Sequence, residues 1–226
     1  MALEAIFFDA GGTLIFPDRE LTLAPLKARG ITYSQEQLHA AERTARQYRD
    51  ASAANPSANV NPDEQYWIIY YQTLIGELSS DRQLLAELVA AARKSGNWTF
   101  VPPDVPECLK DLKQEYRLAV ISNSDGRISE VFDRLKLSQY FEAIFDSGKV
   151  GHQKPSPIIF ETALRGLNVT GENSVYVGDV YSIDYSGAEG AGMNAILIDP
   201  YGTYANNGVP RVESICELRT FIEKKF

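Results

Sequence analysis

Short apolar runs alternate with helical patterns along most of the chain. Runs rich in β-branched and aromatic residues predict buried strands at 5–9, 117–122, 143–146, 174–179 and 194–199. Apolar positions with helical spacing lie between them, at 106–116, 127–135, 157–167 and 182–191. Strands that are apolar on both faces and alternate with helices are typical of a parallel sheet covered on both sides. The pattern therefore predicts an α/β fold with a doubly wound parallel sheet.

The stretch from residue 16 to residue 102 interrupts this alternation. Its apolar positions have helical spacing only, in four segments at 21–29, 34–50, 63–78 and 81–92. Ser34 and Gln37 have the spacing of a capping box, and 51–62, rich in Ala, Asn, Ser and Pro, is expected to be an exposed loop. We predict a core domain made of 1–15 and 103–226, split by an all-helical domain, 16–102, inserted after the first strand.

Composition narrows the class of partner. The chain has 226 residues, 44% hydrophobic and 23% charged, so it can bury a core. A net charge of -8 argues against nucleic acid or an anionic membrane surface and favours a small partner. No apolar run reaches the roughly 20 residues that span a bilayer, and residues 1–8 lack the regions of a signal peptide. We expect a soluble cytoplasmic protein.

The two cysteines give no sign of chemistry. Cys108 and Cys216 lie far apart in predicted helices, without a CxxC pattern. In a cytoplasmic protein such cysteines are expected to be reduced, packed thiols.

Polar residues follow the ends of the predicted strands. They are Asp9, Ser122 with Asn123, Lys154, Gly178 with Asp179, and Asp184. Taken singly, each has an ordinary structural explanation; Asp184, for example, fits a helix-stabilising acid in the first turn after Ser182. Because ligands of open parallel sheets bind at the carboxyl ends of the strands, we expect these residues to form one site.

In their order and spacing, these motifs resemble those of the haloacid dehalogenase superfamily of hydrolases. The matching segments are Asp9 to Thr13 (DAGGT), Ser122-Asn123, Lys154 to Pro157 (KPSP), and Gly178-Asp179 with Asp184, followed by Gly187-Ala188 and Ala191 to Met193. The position of the helical insertion also matches that family's cap. The segments RLAVISN, KPSPIIFETAL and VGDVYSIDYSG look most similar to the rhythmically-expressed-gene-like subgroup.

The resemblance implies a role for each residue of the site. Asp9 would be the nucleophile that forms an aspartyl-phosphate, which water then hydrolyses. Lys154 would neutralise charge on the transferring group, and Thr13 would orient Asp9 through its hydroxyl. The remaining implied substrate contacts come from Ser122, Asn123 and the backbone at Gly12.

The resemblance also implies a Mg²⁺ ion, because a carboxylate and a phosphate dianion repel each other. Asp9, Asp179 and the main-chain carbonyl of Gly11 would be ligands, and Asp184 would act more indirectly, through water or a neighbouring ligand.

Gly11 departs from the family pattern. Phosphatases of this superfamily usually carry a second Asp at this position, which protonates the leaving alcohol and later activates water. General acid–base catalysis contributes about 10² to 10⁴ in rate, so its loss should slow hydrolysis of esters with poor leaving groups. The helical insertion offers possible substitutes at Asp18, Glu20 and His39.

Several functions remain compatible with Gly11. The best supported is a Mg²⁺-dependent phosphatase acting on a small phosphorylated molecule, as a monomer or homodimer. A metal-independent 2-haloacid dehalogenase needs no acid, but it has an aromatic residue in place of Gly11 and lacks the acid that Asp179 provides. A phosphonatase needs a cap lysine, and neither Lys27 nor Lys94 lies in a motif. A non-catalytic binding module is the remaining alternative.

Overall fold

The computed structural model describes residues 3–54 and 62–225, which divide into two compact units. The first unit contains residues 3–16, 101–200 and 204–225. The second contains the described part of Pro17–Phe100, together with Tyr201–Thr203. Each unit has its own cluster of buried apolar side chains.

The strands of the described chain fall into two sheets. Their bounds are β1 Ala5–Phe8, β2 Phe16–Pro17, β3 Trp98–Phe100, β4 Arg117–Ser122, β5 Ala143–Asp146, β6 Ser174–Gly178, β7 Asn194–Ile198 and β8 Arg211–Val212. β2 pairs with β3, and the other six form a parallel sheet in the order β5-β4-β1-β6-β7-β8. The predicted parallel α/β architecture is confirmed.

The topology places the carboxyl end of β1 at a switch point. From β1, the chain goes first to β4 and β5 on one side, and later to β6, β7 and β8 on the other. Phe8 pairs in register with Val120 of β4 and with Val177 of β6. The residues that follow β1, β4 and β6 therefore leave the sheet at the same edge, where open parallel sheets bind ligands.

Burial explains why the apolar runs form the centre of this sheet. All four side chains of β1 are inaccessible to solvent. Burying a side chain such as Phe7 or Phe8 contributes about 1.5–3 kcal/mol. Because both faces of the strand are covered, a continuous apolar run is more stable here than an alternating one.

The second unit is mainly helical but also contains β3, which corrects the expectation of an all-helical insertion. Its helices are α1 Arg19–Thr22, α2 Ala24–Ala28, α3 Gln35–Ala54, α4 Pro62–Ile75 and α5 Arg82–Arg93. The capping box before α3 is confirmed, because Gln37 N donates to Ser34 Oγ and Ser34 N donates to Gln37 Oε1. The predicted loop at 51–62 is wrong at its start, where α3 continues to Ala54; residues 55–61 lie outside the described chain.

The helices of the first unit follow the predicted alternation. They are α6 Val105–Leu112, α7 Ile128–Arg134, α8 Ser147–Val150, α9 Pro157–Leu167, α10 Ser186–Gly190 and α11 Leu218–Lys225. Instead of one helix over 182–191, a π-helical turn, Tyr181–Tyr185, precedes α10. Such turns are rare and often occur at functional sites. Among the described helices, none is long and apolar enough to cross a membrane.

Cys108 and Cys216 form a disulfide, which corrects the expectation of two reduced thiols. Cys108 lies on α6, and Cys216 lies in the 3₁₀ turn Ile215–Glu217, just before α11. Their Cα atoms are 5.2 Å apart, within the range that a disulfide requires. The expectation failed because 108 residues separate the two cysteines along the chain, and their proximity arises only in the folded state.

Loss of this disulfide is expected to destabilise the protein. In the chain-entropy model, cross-linking two positions 108 residues apart restricts the unfolded chain enough to stabilise the fold by about 2–4 kcal/mol. We expect the double variant Cys108→Ser/Cys216→Ser to lose about that much free energy of unfolding, measured by urea denaturation. Reductant should lower the wild-type midpoint and leave that of the double variant unchanged. A wild-type midpoint insensitive to reductant would contradict the prediction.

Candidate active site

The ammonium group of Lys154 lies at the centre of the site. Lys154 is 5% exposed, and its Nζ donates to Asp9 Oδ1 at 2.5 Å, to Tyr176 OH at 2.7 Å and to Asp184 Oδ1 at 2.8 Å. A lysine ammonium has three N–H donors, and these three acceptors take all of them. The lysine thus links the loops that follow β1 and β6.

Asn123 fixes the backbone of Lys154. Its Oδ1 accepts from Lys154 N at 2.7 Å, and its Nδ2 donates to Lys154 O at 3.0 Å. Because Asn123 directly follows β4, these two bonds tie the lysine loop to the sheet. Asn123, predicted to bind substrate, has both groups of its side-chain amide bonded to the backbone of Lys154.

Each carboxylate oxygen of Asp184 accepts two hydrogen bonds. Its Oδ2 accepts from Asp179 N at 3.2 Å and from Val180 N at 3.0 Å, while its Oδ1 accepts from Lys154 and Tyr176. A Cβ on Gly178 would lie 2.4 Å from Asp184 Cγ, so only glycine fits there. Asp184 therefore fixes the backbone just before the π-helical turn and also anchors Lys154.

Three buried carboxylates converge here. One oxygen each from Asp9, Asp179 and Asp184 lies within 4.8 Å of the others. Gly12 makes room for this cluster, because it has φ of 81° and a Cβ there would lie 2.4 Å from Asp179 Oδ2. Clustered carboxylate oxygens are the donors that hard divalent cations such as Mg²⁺ prefer, so the donor set fits that metal.

Burial and charge set the proton affinities of the cluster. Burial, reinforced by the charge of Asp184 and opposed by that of Lys154, raises the pKa of Asp9 to about 6. Burial also acts to raise the pKa of Asp184, but Lys154 and the donated hydrogen bonds outweigh it and lower that pKa. For Lys154, burial is outweighed by Asp184 and Asp9, and its pKa is raised. Lys154 is therefore a cation at neutral pH.

The remaining predicted residues lie around this cluster. Ser122 is buried at the end of β4. The Oγ1 of Thr13 is buried without a hydrogen-bond partner in the described chain, so the expected bond to Asp9 is not formed. The N–H of Gly12 donates to Ile15 O at 2.9 Å and thus closes the turn after β1. Gly11 is half-buried in the same turn.

Two residues that support the site, Asp146 and Tyr176, were not predicted from the sequence. Asp146 accepts from the backbone N–H groups of Gly126, Ile128 and Gly148, and thereby fixes the loop after β4. Its position at the end of an apolar strand was a usable signal. Tyr176, which bonds Lys154 and Asp184, lies in the middle of an apolar strand, where nothing in the sequence distinguishes it from a core residue.

Comparison with known proteins identifies relatives of the sequence. A family model, described as haloacid dehalogenase-like hydrolase, matches residues 3–192. The haloacid dehalogenase-like hydrolase domain-containing protein 3 of Xenopus laevis is 31% identical over 211 residues, which cover 88% of this chain and 86% of that protein. A glyceraldehyde 3-phosphate phosphatase of Methanothermobacter thermautotrophicus is 30% identical, with coverages of 87% and 86%.

Two further matches bear on the predictions. The rhythmically expressed gene 2 protein of Drosophila melanogaster is 36% identical over 93 residues, which cover 39% of this chain and 36% of that protein, in line with the predicted subgroup. Among solved structures, the putative HAD-hydrolase YfnB of Bacillus subtilis bound to magnesium aligns with a TM-score of 0.65 and 15% identity, covering 99% of this chain and 100% of that one. The second match supports the fold.

Proposed function

The chain belongs to the haloacid dehalogenase-like hydrolases, and from this premise we propose that it is a Mg²⁺-dependent phosphatase acting through Asp9. The observation that carries the proposal is the Lys154 ammonium, held 2.5 Å from Asp9 beside two further buried carboxylates. Such a site offers a nucleophile, a fixed positive charge and metal ligands within a few ångströms of one another. The relative named glyceraldehyde 3-phosphate phosphatase supports a small phosphorylated substrate.

The reaction has two displacement steps at phosphorus. In the first, a carboxylate oxygen of Asp9 forms a bond to phosphorus as the bond to the leaving oxygen breaks, which gives an aspartyl-phosphate. The leaving alkoxide takes a proton from water or from a residue other than Gly11. In the second, a water oxygen forms a bond to the same phosphorus as the bond from phosphorus to the Asp9 oxygen breaks; inorganic phosphate leaves with the protons of that water, and the Asp9 carboxylate is regenerated.

Other residues of the chain bind the phosphoryl group, stabilise its charge or position the groups that do so. Lys154 balances the negative charge that shifts onto the phosphoryl oxygens, and Asn123 and Asp184 fix its position. The Ser122 hydroxyl, buried at the end of β4, binds a phosphoryl oxygen. Asp184 also holds the backbone N–H of Asp179, and so orients the acid beside it.

Asp9, Asp179 and the main-chain carbonyl of Gly11 would hold a Mg²⁺ ion. When bound, Mg²⁺ supplies charge neutralisation between the Asp9 carboxylate and the phosphate, which otherwise repel each other. Asp184 acts indirectly, because all four of its hydrogen-bonding positions are taken by protein donors. We also propose that the helical unit serves as the substrate-selecting cap, since it is inserted between β1 and β4.

A screen of phosphate esters tests the proposed function. We expect hydrolysis of p-nitrophenyl phosphate with Mg²⁺ and none with EDTA. Asp179→Asn should raise the Mg²⁺ concentration for half-maximal rate by about tenfold or more, since ligand-sphere changes commonly cost that much affinity. Asp111→Asn, an exposed acid on α6, is the matched control and should leave that concentration unchanged.

Two outcomes of this screen would contradict the proposed phosphatase function. Halide release from 2-haloacids without metal would identify a dehalogenase. If no activated ester is hydrolysed at high enzyme concentration, the chain is a binding module rather than a phosphatase.

A further inference from the structure

We propose that Tyr176 is a positioning residue whose hydroxyl fixes the direction of the Lys154 ammonium group. The hydroxyl oxygen accepts from Lys154 Nζ at 2.7 Å. It donates its single proton to Asp184 Oδ1 at 3.0 Å, and it also lies 3.2 Å from the carbonyl oxygen of Ile121. The inference deepens the proposed phosphatase function, because it concerns the lysine of that site.

The phenol is held rigidly by the sheet. Tyr176 is fully buried in β6 and pairs in register with Phe7 of β1 and Ala195 of β7. The ring of Phe160 packs edge-on against its own, with centroids 5.2 Å apart. The strand pairing fixes the backbone of Tyr176, and the packing of Phe160 fixes its ring. The hydroxyl at the end of the ring is therefore held in one place. Tyr176 therefore provides Lys154 with an acceptor that does not move with the loops.

The chemical character of this acceptor sets it apart from the two acids. Lys154 donates to two carboxylates and one neutral hydroxyl, which together take all three of its N–H groups. Asp9 must turn toward phosphorus during the reaction, so its bond to the lysine cannot be the one that fixes the ammonium. Tyr176 and Asp184 keep their bonds throughout, and two fixed acceptors define the direction of the third N–H. That N–H is then free to bind a phosphoryl oxygen.

Removal of the hydroxyl leaves one N–H of the buried ammonium group without its acceptor, which is unfavourable. The ammonium group then rotates between its remaining partners instead of pointing at the reacting group. Because this affects the transition state more than the bound substrate, the loss should fall on kcat.

Tyr176→Phe tests this by steady-state kinetics with p-nitrophenyl phosphate and Mg²⁺. We expect kcat to fall about tenfold, while KM and the Mg²⁺ concentration for half-maximal rate change less than about twofold. Tyr71→Phe is the matched control. Tyr71 is 1% exposed in the core of the helical unit, and its hydroxyl forms a hydrogen bond with Thr22. Loss of the Tyr71 hydroxyl should therefore leave kcat unchanged.

A second measurement does not depend on turnover. The ¹⁵Nζ resonance of Lys154, assigned by its absence in Lys154→Met, reports the exchange of the ammonium protons with water. In the wild type we expect slow exchange, and in Tyr176→Phe exchange at least about tenfold faster, with no such change in Tyr71→Phe.

The two measurements separate the two proposals. Faster exchange in Tyr176→Phe, in a protein that hydrolyses no ester, would support the positioning role and overturn the phosphatase. Unchanged exchange with unchanged kcat in an active enzyme would overturn the positioning role alone. A wild-type protein without a slowly exchanging Lys154 ammonium would also overturn it.

Discussion

Asp9→Asn is expected to abolish phosphatase turnover, with a fall in kcat of at least about 10⁴-fold. An amide oxygen is a poor nucleophile toward phosphorus, so the covalent intermediate cannot form. The neutral amide also gives Mg²⁺ a weaker ligand and removes one charged partner of Lys154. The effect is large because the Asp9 carboxylate attacks in the first displacement step and leaves in the second. Among the described residues, none is placed to take over both roles.

The same substitution should not harm the fold at neutral pH. The pKa of Asp9 is raised from 3.8 to about 6, mainly by burial, so the folded protein binds that proton more tightly than the unfolded chain does. The ionised carboxylate therefore destabilises the metal-free fold, increasingly as pH rises from about 4 through 6. We expect Asp9→Asn to have a Tm equal to or above that of the wild type at pH 8 in EDTA, with the difference shrinking at pH 5.

The measurements are the turnover of p-nitrophenyl phosphate and thermal unfolding at the two pH values. Asp111→Asn serves as the control for the loss of an acid on the surface, and should match the wild type in both. A folded Asp9→Asn enzyme with substantial activity would remove Asp9 as the nucleophile. A Tm clearly below that of the wild type at pH 8 would show that Asp9 stabilises the metal-free fold.

The strands and the acids of the site could be predicted because their signals are local. A run such as AIFF is apolar over consecutive residues, which is what a strand covered on both faces requires. Asp9 and Asp179 follow such runs directly, and the topology of a parallel sheet then brings them to one edge. Lys154 lies eight residues after the end of β5, too far for the strand pattern to place it. It was predicted instead through the KPSP motif.

The parts that escaped prediction depend on residues distant in sequence. Asn123 bonds the backbone of Lys154, 31 residues away, and the Cys108–Cys216 disulfide joins positions 108 residues apart. The hydroxyl of Tyr176 has partners on β4, on the lysine loop and in the π-helical turn. In each case the side chain alone is unremarkable, and its role arises from neighbours that only the folded chain supplies.

Gly11→Asp is expected to raise kcat on alkyl phosphates about 10²-fold, because it restores a carboxylic acid two residues after the nucleophile. Without such an acid, the alcohol must leave as an unprotonated alkoxide, and the rate depends on the stability of that anion. A p-nitrophenolate leaves readily unprotonated, so the gain on that ester should be only a few-fold. The ratio of the two gains is thus a direct measure of proton donation.

The backbone conformation at Gly11 does not itself require glycine. Gly12 has the left-handed φ of 81° and no room for a Cβ, whereas Gly11 is not among the described residues with positive φ. Gly11→Asn is the matched control, since it has the same shape without a transferable proton. It should give no gain on alkyl phosphates, and Gly12→Ala should lose activity through its clash with Asp179.

A correctly folded Gly11→Asp enzyme without any gain would mean that another residue already protonates the leaving group. The candidates from the helical unit have local partners of their own. Asp18 accepts from Glu20 N at the start of α1, Glu20 pairs with Lys27, and His39 bonds Gln35. We expect the missing acid at Gly11, rather than one of these residues, to limit the rate. The contrast between Gly11→Asp and Gly11→Asn on one alkyl phosphate decides between these two explanations.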